Sequence, residues 1–173
     1  MRPYQHITRD VDNAPRGPAT LAFFDFDGTI IFGYSIATVM LEAITSGKLS
    51  PADALRKFVR LISEGTDTND YGALLQQAAE SLVGRPEAEL VELGEKIFDR
   101  YLAAAIYPES RALIRAHQAC GHTVAIVSSA TPYQILPSAR ELGIEHVLCN
   151  ELEIADGVFT GGVKSPVCFA DGK

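Results

Sequence analysis

The stretch Leu21-Ala22-Phe23-Phe24-Asp25-Phe26-Asp27-Gly28-Thr29-Ile30 constrains this chain more than any other. Its apolar run carries no polar alternation, so it reads as a strand covered on both faces, as in a parallel sheet packed under helices. The run then breaks into two acids one residue apart and at once into Gly-Thr. Residues i and i+2 point the same way while the chain stays extended, so such a strand delivers two carboxylates to its exposed end. Gly28 lets the following turn approach an anion closely enough for backbone N–H groups to donate to it. Acids placed in this way can hold a divalent metal, and one can attack a phosphorus atom while the other handles a proton.

The rest of the chain supplies the layers such a strand needs. Residues 34–105 have a helical texture. Ile36, Val39, Met40, Ala43 and Ile44 share one face, and Gly47 follows as a stop. Ser50-Pro51-Ala52-Asp53 reads as a capped helix start whose inward stripe is expected to be Leu55, Phe58, Val59 and Ile62. Leu74, Leu75, Ala78 and Leu82 form a third stripe. Pro86 opens a fourth helix with Leu90, Leu93, Ile97, Phe98 and Leu102 inward. The strand and helix alternation then resumes: a helix from Pro108 to the stop at Gly121, a buried strand over 123–127 ending in Ser128-Ser129, a helix over 132–142, and a strand from His146 to Cys149. Asp156-Gly157 between two short runs predicts a hairpin. The expected fold class is α/β, a Rossmann-like parallel sheet with a helical insertion after its first strand. The expected division is an N-terminal arm over 1–19, flexible because it is polar and rich in Pro and Gly; a core over 20–33 and 106–173; and an inserted helical cap over 34–105.

Composition narrows the functional classes. A net charge of -7 argues against nucleic acid as a partner, because phosphate backbones need a basic face. Cys120, Cys149 and Cys168 stand at unrelated spacings and suggest neither disulfides nor a metal site. His6, His117, His122 and His146 show no ligand spacing. No apolar run approaches a membrane span and no signal peptide is evident, so a cytoplasmic, reducing location is the expectation.

Ligands of open α/β sheets sit beyond the carboxyl ends of the strands. One such end carries Asp25 and Asp27, and another, about a hundred residues on, carries Ser128 and Ser129. This ordered set resembles the haloacid dehalogenase superfamily of hydrolases. The first family motif is Phe23-Phe24-Asp25-Phe26-Asp27-Gly28-Thr29. The second is Val124-Ala125-Ile126-Val127-Ser128, and Gly172-Lys173 is similar to the third. The helical insertion resembles the family's cap of the first type and, with the hairpin, points to the phosphoserine-phosphatase-like subfamily. The resemblance implies Mg²⁺-dependent hydrolysis of a small organic phosphomonoester through an aspartyl phosphate. In that scheme Asp25 is nucleophile and metal ligand, and Asp27 is general acid/base and ligates through its carbonyl. Ser128 and Lys173 hold the phosphoryl group, while Gly28, Thr29, Ser129 and Tyr34 bind phosphate or substrate.

Two departures from the family pattern carry expectations of their own. Tyr34 stands where phosphoserine phosphatases place a glutamate for the substrate's ammonium, which argues against phosphoserine. The chain also reaches Lys173 before any further acid-bearing strand. The first strand is therefore expected to be a sheet edge. A fused C-terminal domain or a partner would cover that edge, and the alternative to an active hydrolase is an inactive fragment or interaction module.

Overall fold

The structure, a computed structural model, describes residues 4–64 and 68–169. Lys173 lies outside them, as do the side chains of Phe58 and Ile62. Strands β1 (Leu21–Phe24), β2 (Thr123–Val127) and β3 (His146–Leu148) form one parallel sheet in the order β1-β2-β3. Phe24 pairs with Ile126, and Val127 with Leu148. The α/β architecture expected from the sequence is present. Among the described residues β1 is an edge strand, with Leu21 and Phe23 exposed and Ala22 buried. Strands β4 (Leu152–Ala155) and β5 (Val158–Val163) form the antiparallel hairpin around Asp156-Gly157.

Between β1 and β2 run helices α2 (Ser35–Thr45), α3 (Pro51–Glu64), α4 (Thr68–Glu80) and α5 (Glu87–Ile97). A π-helical turn, Phe98–Leu102, leads from α5 into the short α6 (Ala103–Ala105), and α7 (Pro108–Ala119) follows. The wide turn brings Ile97 and Leu102, five positions apart, into the same core. Helix α8 (Pro132–Leu142) connects β2 to β3 and starts in a capping box between Thr131 and Gln134. Gly94 is where α5 meets α8: a Cβ there would collide with the backbone oxygen of Tyr133. Among the described residues no helix is long and apolar enough to cross a membrane.

The main core lies around the sheet, where Phe26, Ile30, Ile31, Ile114, Ile126 and Ile135 are 0% exposed. A smaller cluster of Leu75, Ala79, Leu152 and Phe159 fastens α4 to the hairpin. In the insertion, Glu42 of α2 is buried and ion-paired with Lys96 at 2.7 Å and Arg100 at 3.1 Å. The hydrogen bond from Lys96, with the Arg100 charge, holds the Glu42 carboxyl below the usual carboxylate range.

Two expectations need correction. Where a flexible arm was expected over 1–19, α1 (Gln5–Asp12) is a helix lying on α7. The chain after it is tied to the end of α7: the Gly17 N–H donates to the Cys120 carbonyl at 3.0 Å, and His122 Nε2 meets the Pro15 carbonyl at 3.0 Å. The composition was that of a loose arm, but tertiary hydrogen bonds hold it. The second correction concerns α3. Leu55 and Val59, expected inward, are 65% and 55% exposed, and Ala54 is buried instead. Helix α3 turns its Ala54 side inward, so the neighbouring stripe carrying Leu55 and Val59 faces out.

Candidate active site

Strand pairing builds the site. Because β1 and β2 are parallel with Phe24 opposite Ile126, the segments leaving them, Asp25–Asp27 and Val127–Ser129, emerge side by side at one sheet edge. Strand β3 brings Cys149 and Asn150 to the same edge. Phe26, buried between the two acids, anchors the turn while Asp25 and Asp27 remain partly accessible. Gly28 adopts a φ of +72°, which a side chain would resist, and its N–H donates to the Gly33 carbonyl at 2.9 Å. Ser110 Oγ of α7 donates to the Thr29 carbonyl at 2.7 Å, fixing the loop from below.

Ser35, at the start of α2, addresses both oxygens of Asp27. Its N–H donates to Oδ1 at 2.5 Å and its Oγ to Oδ2 at 3.2 Å. Gln134 Nε2 of α8 donates to Ser35 Oγ at 3.0 Å, so the hydroxyl accepts from one side and gives to Asp27 on the other. Both residues are buried. The Asp27 carboxylate is thus aimed by a chain that starts on the helix after β2 and passes through the first residue of α2.

Ser128 is 1% exposed, and its Oγ accepts from the Ala130 N–H at 3.1 Å, which leaves the hydroxyl hydrogen as a donor to direct elsewhere. The Ser129 carbonyl accepts from Tyr71 Oη at 2.5 Å and from Asn150 Nδ2 at 2.6 Å. Tyr71 belongs to α4, so this bond joins the insertion to the sheet edge, and the ring stacks on Phe169 with centroids 4.3 Å apart. Burial, with the nearby Asp27 charge adding to it, pushes the Tyr71 phenol up and keeps it a donor. Asn150 also accepts from the Cys168 N–H at 2.7 Å, holding the segment that carries Phe169. Tyr34 lies at the rim with its ring more than half exposed. A cavity of about 370 Å³ opens beside Asp27 and Ser129, with Tyr34 and Ser35 in its wall.

The structure therefore brings Asp25, Asp27, Ser128 and Ser129 to one edge with Gly28, Thr29 and Tyr34 beside them. Lys173 lies outside the described residues. Lys164, the other lysine of the C-terminal stretch, is ion-paired with Glu151 at 2.7 Å. Cys149 is no nucleophile here, since burial, with Glu151 nearby, pushes its thiol up to about 12. Tyr71, Gln134 and Asn150 were not singled out by sequence reasoning. Only the Asn at a strand end and the Thr-Pro-x-Gln start of α8 left a local trace. Among the described residues no three His, Cys, Asp or Glu side chains gather as a metal cage. The two carboxylates and a backbone carbonyl still suit Mg²⁺, which needs only one or two protein carboxylates and completes its shell with water and phosphate.

Comparison with known proteins agrees with this geometry. A family model described as haloacid dehalogenase-like hydrolase matches residues 22–173. The phosphoserine phosphatase SerB1 of Mycobacterium tuberculosis is 33% identical over 159 residues, covering 88% of this chain and 51% of the relative. The chain thus spans about half the length of the curated relatives it matches. A Bordetella pertussis protein of unknown function superposes with a TM-score of 0.74 at 23% identity, covering 88% of this chain and 70% of that one. A phosphoserine phosphatase solved as a phospho-aspartyl intermediate analogue superposes with a TM-score of 0.54 at 24% identity, covering 86% and 64%. At these identities the two structures speak for the fold. The family match over most of the chain, on an α/β sheet whose strand ends carry Asp25, Asp27 and Ser128, places the chain in the haloacid dehalogenase-like hydrolase family.

Proposed function

We propose that this chain carries the phosphate-handling site of a Mg²⁺-dependent phosphomonoester hydrolase. The observation that carries the reading is the pair Asp25 and Asp27 at the end of β1, with Ser128 at the neighbouring end of β2. In this reading an Asp25 carboxylate oxygen attacks phosphorus, and the bond from phosphorus to the ester oxygen breaks. Asp27, aimed by Ser35, gives its proton to the departing alkoxide and then takes one from the water that cleaves the aspartyl phosphate. Ser128 donates to a phosphoryl oxygen and Ser129 offers its backbone N–H to another, while the turn at Gly28 and Thr29, whose N–H groups are bonded to the Gly33 and Phe26 carbonyls, borders the phosphate. Lys173 would neutralise charge on the transferring group. Asp25 and the Asp27 carbonyl would hold Mg²⁺, which when bound offsets the repulsion between the carboxylates and the phosphate. Residues 34–105 act as a cap, with Tyr71 as its latch and Tyr34 at the substrate's entrance. The cap excludes bulk water from the acyl phosphate.

The kinship with SerB1 supports a phosphatase, and the cytoplasm remains the proposed location. The test is hydrolysis of p-nitrophenyl phosphate with Mg²⁺ by the 173-residue chain and by its Asp25→Asn variant. Turnover lost in the variant is the expected result, and turnover equal in both rejects the mechanism. A second reading, an interaction module that keeps the fold without turnover, is favoured by β1, which among the described residues pairs on one side only and leaves an edge open to a partner. Mg²⁺-dependent hydrolysis by the chain itself rejects it.

A further inference from the structure

The cavity beside Asp27 has walls unlike its floor. Its described lining is dominated by Ile36, Tyr71, Leu74, Leu75, Ala78 and Phe169, and Asp27 is the one charged residue among them. It does not close off inside the cap. A second cavity of about 440 Å³ is bordered by Val39, Ala43, Leu90, Leu93 and Ile97. Ile36, Leu75, Ala78, Thr131 and Gln134 line both. The two spaces therefore lie side by side across α4 and the start of α8, the first beside Asp27 and the second within the helical insertion. Apart from Asp27, the charged residues of the described lining border the second space: Glu42, Lys48, Arg85 and Lys96. The Arg85 and Lys96 side chains are about half exposed, and Glu42 is already paired with Lys96 and Arg100, so this charge belongs to the solvent side and to an ion pair of the cap itself.

We propose that the substrate is the phosphomonoester of an extended apolar alcohol, whose chain runs from the phosphate at Asp25 and Asp27 past Ala78 into the second cavity. The proposal rests on the hydrolase reading and names its substrate class. The physical reasons are two. Each methylene moved from water into such walls gains up to about 0.8 kcal/mol, a roughly fourfold gain in affinity. A head group with an ammonium and a carboxylate, in contrast, would lose water against the apolar walls of the first cavity, whose described lining offers no cation to the carboxylate and whose one charge, Asp27, is already engaged by Ser35. Ala78 is the gate: it lines both cavities from an exposed position of α4 that belongs to neither core cluster.

The experiment is calorimetric titration of the 173-residue chain, with Mg²⁺ present, with n-alkylphosphonates from ethyl to octyl and with phosphoserine. The wild-type affinity is expected to rise roughly two- to fourfold per methylene, and butylphosphonate is expected to bind more tightly than phosphoserine. In Ala78→Trp the series is expected to level off after its short members. A flat series, no binding by any member, tighter binding of phosphoserine, or an Ala78→Trp series identical to the wild type overturns the proposal. The hydrolase reading is tested apart from this by Asp25-dependent turnover of p-nitrophenyl phosphate. A flat series with such turnover defeats the substrate class alone, and a rising series without it defeats the hydrolase reading alone.

Discussion

The sheet half and the helical insertion use their apolar side chains differently. Around the sheet, Phe26, Ile30, Ile31 and Ile126 are wholly buried and frame the acids beside them, while Leu21, Phe23 and Leu148 on the strands stay exposed. In the insertion, apolar side chains are left over. Leu55, Val59, Val83 and Val91 face solvent, and space between the helices remains open as cavities, one of which reaches Asp27. Chemistry on phosphorus requires carboxylates placed to within a fraction of an ångström, which dense packing provides. Accommodating an alcohol requires space and a surface that can close, which sparse packing provides. The two halves meet at a few polar joints: Ser35 on Asp27, Gln134 on Ser35, and Tyr71 on the Ser129 carbonyl.

That contrast can be broken by substitution. The largest effect is expected in the sheet. Ile126→Ala removes a wholly buried side chain and should cost about 2–5 kcal/mol in urea unfolding. Gly94→Ala, at the contact between α5 and α8, forces a methyl against the Tyr133 backbone and should cost about 1–3 kcal/mol by the same measurement. Ser35→Ala acts on a joint rather than on a core. With the backbone donor to Asp27 retained, kcat should fall about tenfold, roughly 1.4 kcal/mol, while KM changes little. Leu55→Gln, on the outer face of α3, should leave stability within about 0.5 kcal/mol of the wild type. A large loss at Leu55 together with a small one at Ile126 would reverse the comparison.

The sequence made the sheet half legible because its signals are local. The apolar runs ending in Asp25 and Ser128, the glycine stops after α7 and α8, and the Asp-Gly hairpin all appear where they were read. What escaped depended on partners distant in the chain. Residues 5–12 read as a loose arm because nothing nearby announces α7 as their support. The α3 stripe has a helical period, but period alone does not say which side receives neighbours, and the small Ala54 took that side. The inward residues of the fourth helix, Leu90, Leu93, Ile97, Phe98 and Leu102, appear where they were read, although the π-helical turn that sets Ile97 and Leu102 five positions apart has no mark of its own. In the site, Asp25, Asp27, Ser128 and Tyr34 were visible as a motif, whereas Tyr71 reaches Ser129 across 58 positions and Asn150 across 21. Lys173 lies outside the described residues, and its role remains part of the proposal.

The account turns on Asp25 as the atom-bearing centre of the reaction. Brief incubation of the chain and Mg²⁺ with a ³²P-labelled phosphomonoester, followed by acid quench and peptide mapping, tests this most directly. The predicted result is a hydroxylamine-labile label on the peptide containing Asp25, absent in Asp25→Asn. Turnover that proceeds with no protein-bound label, or with label on another peptide, would contradict it.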